Sequence, residues 1–400
     1  MRILTSFLIV LVAVFPLVTS QASEVKVSGF VVGEIRGFVT SPQFSNQLSG
    51  IQLSLAIQPE FRSRINNGDE KITFVPFIRL DSSDDSRTHA DIREMYWLHN
   101  SQEWTLLVGV NRIFWGVVES NNLVDIINQT DLVEDIDGKE KLGQPMINIA
   151  TQQDWGNLGF FIMPWFRERT FPSEDGRLRS QVVVARDATY ESTSEQKHID
   201  LALRYSHYIG DWDFGVSFFK GTGREPRFIL NGSGTQLVAQ YDQVDQFGTD
   251  IQFTNDAWLW KFEGIARSQN GKNFTAIVGG FEYTFYQVAN NKTDLGLLLE
   301  YMSDSREQDP TEIPPTEFDD DIFLATRLAM NDTQDTELLA GVLIDRNNSS
   351  KILSIEAKRR LNNHWNFELE GRWFLNVKEN TSLSPLKKDS FVTLRLARYF

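Results

Sequence analysis

Phe391-Val392-Thr393-Leu394-Arg395-Leu396-Ala397-Arg398-Tyr399-Phe400 is the stretch that decides the fold. Val392, Leu394, Leu396 and Phe400 fall on one side of a period-2 strand, interrupted only by Arg398 near its end. Alternation of this kind marks a strand with one apolar face. At the other end, residues 1–22 have the form of a secretory signal: Arg2, an apolar run from Ile3 to Val18, then Ser20-Gln21-Ala22. Together these predict an exported all-β chain, a closed antiparallel transmembrane β-barrel in a Gram-negative outer membrane. In hydrocarbon an open sheet edge leaves backbone groups unsatisfied, so the last strand must pair with the first. The aromatic Phe400 matches the expected recognition signal for the barrel-assembly machinery.

Composition narrows the alternatives. The chain has no cysteine, which removes disulfides, thiolate metal sites and cysteine nucleophiles. Its net charge of −15 argues against nucleic acid, whose phosphates need Lys and Arg. After residue 22 no 18-residue apolar run occurs, so helical spans are not expected. No linker divides residues 23–400, which are expected to form a single barrel domain.

The alternation recurs along the chain. Ile51, Leu53, Leu55, Ile57 and Phe61 share one face, while Gln52, Ser54, Gln58, Glu60, Arg62 and Arg64 share the other. Counting such segments gives about 18 strands, including ones near 103–114 and 157–167. Sixteen is the alternative count. Segment 222–243 is read as a loop, with Phe228-Ile229-Leu230 and Gln236 to Ala239 as a hairpin above the membrane. Tight turns at Asn66-Asn67-Gly68-Asp69, Asp154-Trp155-Gly156-Asn157 and Gly210-Asp211 alternate with long links at 115–144, 168–196, 222–243, 304–318 and 377–387. Short periplasmic turns and long outer loops are the expected barrel pattern, with both termini periplasmic. Trp258, Trp260, Trp365, Trp373, Tyr205 and Tyr301 lie with the apolar set, as in an interfacial girdle.

If the apolar side meets lipid, the opposite side lines the interior. There the two signs nearly cancel. Glu60, Arg62, Arg64, Arg79, Arg204, Arg327, Glu370 and Arg372 are candidate lumen-facing residues. The third outer loop, 115–144, carries Glu119, Asp125, Asp131, Glu134, Asp135, Asp137 and Glu140 against Lys139 and Lys141. It also holds Leu123, Val124, Ile126, Ile127, Leu132, Val133 and Ile136, too apolar for a wholly solvated excursion. The expectation is a loop that folds inward and sets an acidic constriction favouring cations.

Asp91-Ile92-Arg93-Glu94-Met95-Tyr96-Trp97, Asn111-Arg112-Ile113-Phe114-Trp115-Gly116 and Asp125-Ile126-Ile127-Asn128-Gln129-Thr130-Asp131 form a recurring pattern. It resembles uncharacterised large outer-membrane barrels near the alginate-export and phosphate-selective porins. The resemblance spans about 40 residues and implies transport. The balanced interior and acidic loops lean away from anionic polymers and phosphate. Glu94 and Arg112 are a candidate structural pair where the third loop leaves the wall. Because Glu94 shares parity with Ile92, Tyr96 and Leu98, the pair needs a bulge or protein cover.

The five histidines are scattered without ligand spacing, and no catalytic set announces itself. No enzyme activity, metal or cofactor is expected. Asp319-Asp320-Asp321 is read as a solvated loop rather than a chelating one. The functional expectation is passive passage of small hydrophilic solutes, with a cation preference. Alternatives are the port of an export system docked to a periplasmic partner, or a closed barrel whose outer loops bind a ligand.

Overall fold

The computed structural model describes residues 24–288, 292–307, 309–379 and 381–400. The signal segment expected over residues 1–22 lies outside the described residues. In chain order the first strands are β1 (Val25–Phe38), β2 (Ile51–Ile65), β3 (Glu70–Asp81), β4 (His89–Asn100), β5 (Thr105–Asn111), β6 (Gln144–Gln153), β7 (Gly156–Met163), β8 (Thr189–Tyr190), β9 (Asp200–Ile209) and β10 (Trp212–Thr222). They are followed by β11 (Arg227–Leu230), β12 (Leu237–Tyr241), β13 (Gln243–Asn255), β14 (Trp258–Gln269), β15 (Lys272–Phe285), β16 (Asp294–Asp304), β17 (Asp320–Ala329), β18 (Glu337–Asp345), β19 (Lys351–Arg360), β20 (Trp365–Leu375) and β21 (Phe391–Tyr399).

All but β8, β11 and β12 join one 18-stranded antiparallel sheet, in which each strand pairs with its neighbours in the sequence of the wall. The count is 18, not 16. Closure runs through β1 and β21, where Leu394 lies opposite Ile35 and Leu396 opposite Gly33. Gly29 and Phe400 exchange two backbone hydrogen bonds, each 3.0 Å long. Segment 222–243 adds nothing to the wall. Its β11–β12 hairpin, joined by β8 in parallel, forms a separate three-stranded sheet.

The expected faces are those observed. Ile51, Leu53 and Leu55 are 62%, 51% and 51% exposed on the outside, while Gln52 and Ala56, of the opposite parity, are 4% and 1% exposed. A belt of exposed aliphatic and aromatic side chains around a closed wall is a surface for hydrocarbon rather than water. Trp258 and Trp260 stack on that surface, with Phe281 and Tyr283 tilted against them, beside the short turn joining β13 to β14. Arg359, which breaks the outward pattern, sits at the same end and reaches Asp332 at 3.2 Å and Thr336 at 2.7 Å.

β1 begins and β21 ends at the end that carries the short turns. Gly210, at φ +60°, reverses the chain between β9 and β10, and Asn66 and Asn67 take left-handed angles between β2 and β3. At the opposite end β5 and β7 stop short of the strands expected over 103–114 and 157–167. After Asn111 and Met163 the chain turns away from the wall into long loops.

Candidate functional site

The site begins at an irregularity in β4. Val75 pairs with Glu94, but Pro76 pairs with Ile92, so Arg93 is an extra residue with no partner on β3. Pro76 has no N–H to contribute there, which suits a bulge. One inserted residue reverses parity along the strand. Glu94 therefore leaves the outward face of Ile92, and Tyr96 and Leu98 turn inward to pack on the inner apolar cluster. Glu94 thus keeps the face of Tyr96 and Leu98 but not that of Ile92, and the bulge is the one that its pairing with Arg112 required. Glu94 Oε1 lies 3.7 Å from Arg112 Nη2, at the point where the third loop, 112–143, departs. Its return end passes equally close: a Cβ on Gly143 would stand 2.5 Å from the carbonyl oxygens of Ile92 and Arg93.

The loop then crosses the interior on an apolar bed. Val124 and Ile127 are fully buried, and with Ile126 and Trp115 they pack on Leu107, Met146, Phe161, Met163, Phe219 and Ile265, which face inward from β5 to β14. Val118 rests on a second patch made by Val278, Met302, Phe323 and Leu343 of β15 to β18. Each fully buried aliphatic side chain contributes roughly 1.5–3 kcal/mol, so this seat is the loop's main attachment.

Two wall carboxylates fix the loop's turn. Glu263 of β14 accepts from the backbone N–H of Val117 at 2.7 Å, of Val118 at 3.2 Å and of Val124 at 3.2 Å, and from Asn122 Nδ2 at 3.2 Å. Glu300 of β16 accepts from the N–H groups of Glu119 and Ser120, each at 2.9 Å, and from the Ser120 hydroxyl at 2.5 Å. Neither glutamate stood among the candidates read from the sequence. The contacts join residues more than 130 positions apart, and no local pattern announces them.

Beyond the anchors, the acidic stretch meets a wall rich in arginine. Glu119 pairs with Arg327 at 2.6 Å, and Arg327 also reaches Glu282 at 3.3 Å. Asp131 is buried, bound to Arg93 at 2.7 Å and accepting from the Thr170 hydroxyl at 2.7 Å. Burial would raise its pKa, but His89, Arg93 and Thr170 outweigh that and hold its carboxyl well below the usual range. Glu134 takes a two-pronged bond from Arg79, at 2.8 Å to Nε and 2.7 Å to Nη2. Asp135 meets Arg395 at 3.2 Å, and Arg395 continues to Glu34 and Glu370, each at 2.8 Å. Arg372 is shared more loosely, 3.5 Å from Glu370 and 3.9 Å from Asp137.

Asp137 and Glu140 are held least. Burial and the neighbouring Asp135 charge push Asp137 up to about 6, while Asp135 itself is held low by Arg372, Arg36 and Arg395 despite its burial. Glu140 is exposed to the cavity, is raised by the reduced hydration inside the barrel, and makes no ion pair among the described residues. Asp125 serves the loop itself: it is buried, braced by Lys141 at 3.2 Å, and pushed up by that burial.

The remaining candidates divide by height. Arg204 clamps Asp250 through bonds of 2.8 and 2.9 Å beneath Trp115. Glu60 and Arg62 pair at 2.8 Å toward the short-turn end, where Arg64 is exposed, away from the loop. Between the acidic stretch and β18–β21, β1 and β2 lies a cavity of about 550 Å³. Glu119, Glu134, Asp135, Asp137 and Glu140 border it from the loop, and Glu356, Glu368 and Glu370 from the wall. Arg79, Arg93, Arg112, Lys139, Arg327, Lys358 and Arg395 interrupt them, and Glu337 adds a further acid from β18.

A closed wall of 18 strands with a long loop seated inside is a known architecture. The fold is that of an outer-membrane porin. This chain is similar to a BenF-like porin from Pseudomonas fluorescens Pf-5, with a TM-score of 0.55 at 9% identity over 94% of this chain and 98% of that one. It is also similar to Pseudomonas aeruginosa OpdO, TM-score 0.53 at 8% identity over 94% and 96% of the two chains. Pseudomonas aeruginosa OpdQ gives 0.52 at 11% identity over 94% and 97%. No family model and no curated protein matches the sequence. At these identities the porin likeness is one of architecture, and the residues inside this barrel carry their own argument.

Proposed function

We propose that this protein is an outer-membrane channel for small hydrophilic solutes, with a preference for cations set by its third loop. The short turns and both termini then face the periplasm, and the long loops face outward. The observation that carries the reading is the cavity beside residues 119–140, with loop acids on one side and Glu356, Glu368 and Glu370 on the other. Most arginines there are paired, whereas Asp137 is loosely held and Glu140 is unpaired among the described residues. Loosely held acids leave a net negative field along the path, and such a field favours cations. The stretch from Asp91 to Gly116 that resembles alginate-export and phosphate-selective porins builds the loop's exit. We read its role as architectural.

Planar-bilayer recording tests both halves. A discrete single-channel current is expected, with a reversal potential of cationic sign in a KCl gradient. The double variant Asp137→Asn/Glu140→Gln should move that potential toward zero. An unmoved potential would defeat the cation preference. Absence of current in the native protein would favour the closed-barrel alternative, because Arg177 in the loop after β7 is bound to Asp389 at 2.6 Å across the mouth.

A further inference from the structure

The outer end of the β17–β18 hairpin holds a carboxyl group that nothing nearby satisfies. Among the described residues, Asp321 is the one carboxylate with both oxygens sealed from solvent and without a hydrogen-bond partner. It lies directly opposite Asp345 across the strand pair and opposite Met302 on its other side. Asp345 is stabilised only by neutral donors: the N–H groups of Asn347 at 2.8 Å and Asn348 at 3.0 Å, and the Asn348 side chain. Arg346, the nearest cation in sequence, is turned to Asp320 at 2.8 Å. Neither Asp321 nor Asp345 makes an ion pair among the described residues.

Facing carboxylates on adjacent strands repel, and a buried carboxylate without partners is strongly disfavoured unless a cation joins it. We propose that Asp321 and Asp345 hold a divalent cation, of which calcium is the natural occupant at the outer rim. Two opposed carboxylates supply four hard oxygen donors, the ligand type calcium takes. No three acidic or histidine side chains are assembled as a metal cage among the described residues. The seat is therefore a two-carboxylate one, completed by water and main-chain oxygen. Its position gives the ion work to do. Phe323 and Leu343, the next inward residues on the two strands, form the patch on which Val118 of the third loop rests. A cation there ties the rim directly above that patch.

Calcium chloride titrated calorimetrically into the full-length protein, folded in detergent free of lipopolysaccharide, tests the proposal. One site is expected, with a rise in unfolding temperature that EDTA reverses. Asp321→Asn and Asp345→Asn should each weaken binding at least tenfold and abolish the rise. Absence of heat and of any temperature shift in the native protein would overturn the proposal. The same shift in both variants would overturn it too, since the ion would then bind elsewhere. Should Asp321→Asn fail to fold, Asp345→Asn carries the same comparison.

Discussion

The inner wall treats the third loop differently on its two sides. From β5 to β18 it offers Met146, Phe161, Phe219, Ile265 and Phe323, and the loop answers with Val118, Val124, Ile126 and Ile127. From β20 through β1 to β4 it offers Arg372, Arg395, Arg79 and Arg93, and the loop answers with Asp137, Asp135, Glu134 and Asp131. The apolar side supplies adhesion without direction, because burial is roughly proportional to area. The charged side supplies direction, because Arg–carboxylate bonds demand geometry. One side holds the loop in, and the other decides where its acids stand.

Breaking the charged side should have the largest effect. Arg79→Met leaves Glu134 buried without its partner and should cost about 3–5 kcal/mol, with part recovered by adding Glu134→Gln. Chemical unfolding of the folded protein measures both. On the apolar side, Ile127→Ala should cost about 2–5 kcal/mol by opening a cavity beneath the loop. Trp115 lies in the same cluster, so its emission should shift to the red, and current noise should rise as the seat loosens. Glu263→Gln should do less, roughly 1–3 kcal/mol, since an amide oxygen still accepts from some of the N–H groups once bonded to the carboxylate. The smallest effect comes from acid. As pH falls through about 6, Asp137 takes up a proton while Asp135, held low, stays ionised. Negative charge along the path then drops, and the reversal potential should move modestly toward zero between pH 7.5 and 5. A potential flat across that range would place the selectivity elsewhere.

The two sides also differ in how much the sequence disclosed. Strand number, the outward belt and the apolar, acidic character of 115–144 are local properties of a period-2 pattern. They were legible because each strand shows its own two faces. The anchors at Glu263 and Glu300 were not, because they join distant parts of the chain. The sheet of β8, β11 and β12 was legible only as a hairpin, since β8 is two residues long. The bulge that the Glu94–Arg112 pair required could not be placed from the sequence, because alternation assumes one residue per step and Arg93 violates that assumption.

That extra residue gives β4 one position whose loss its faces would survive. Removing Arg93 alone would close the bulge and leave Ile92, Met95 and Trp97 outward and Glu94 inward. What disappears is the guanidinium that holds Asp91 at 3.0 Å and Asp131 at 2.7 Å. A one-residue deletion there should therefore spare the wall and unseat the acidic stretch.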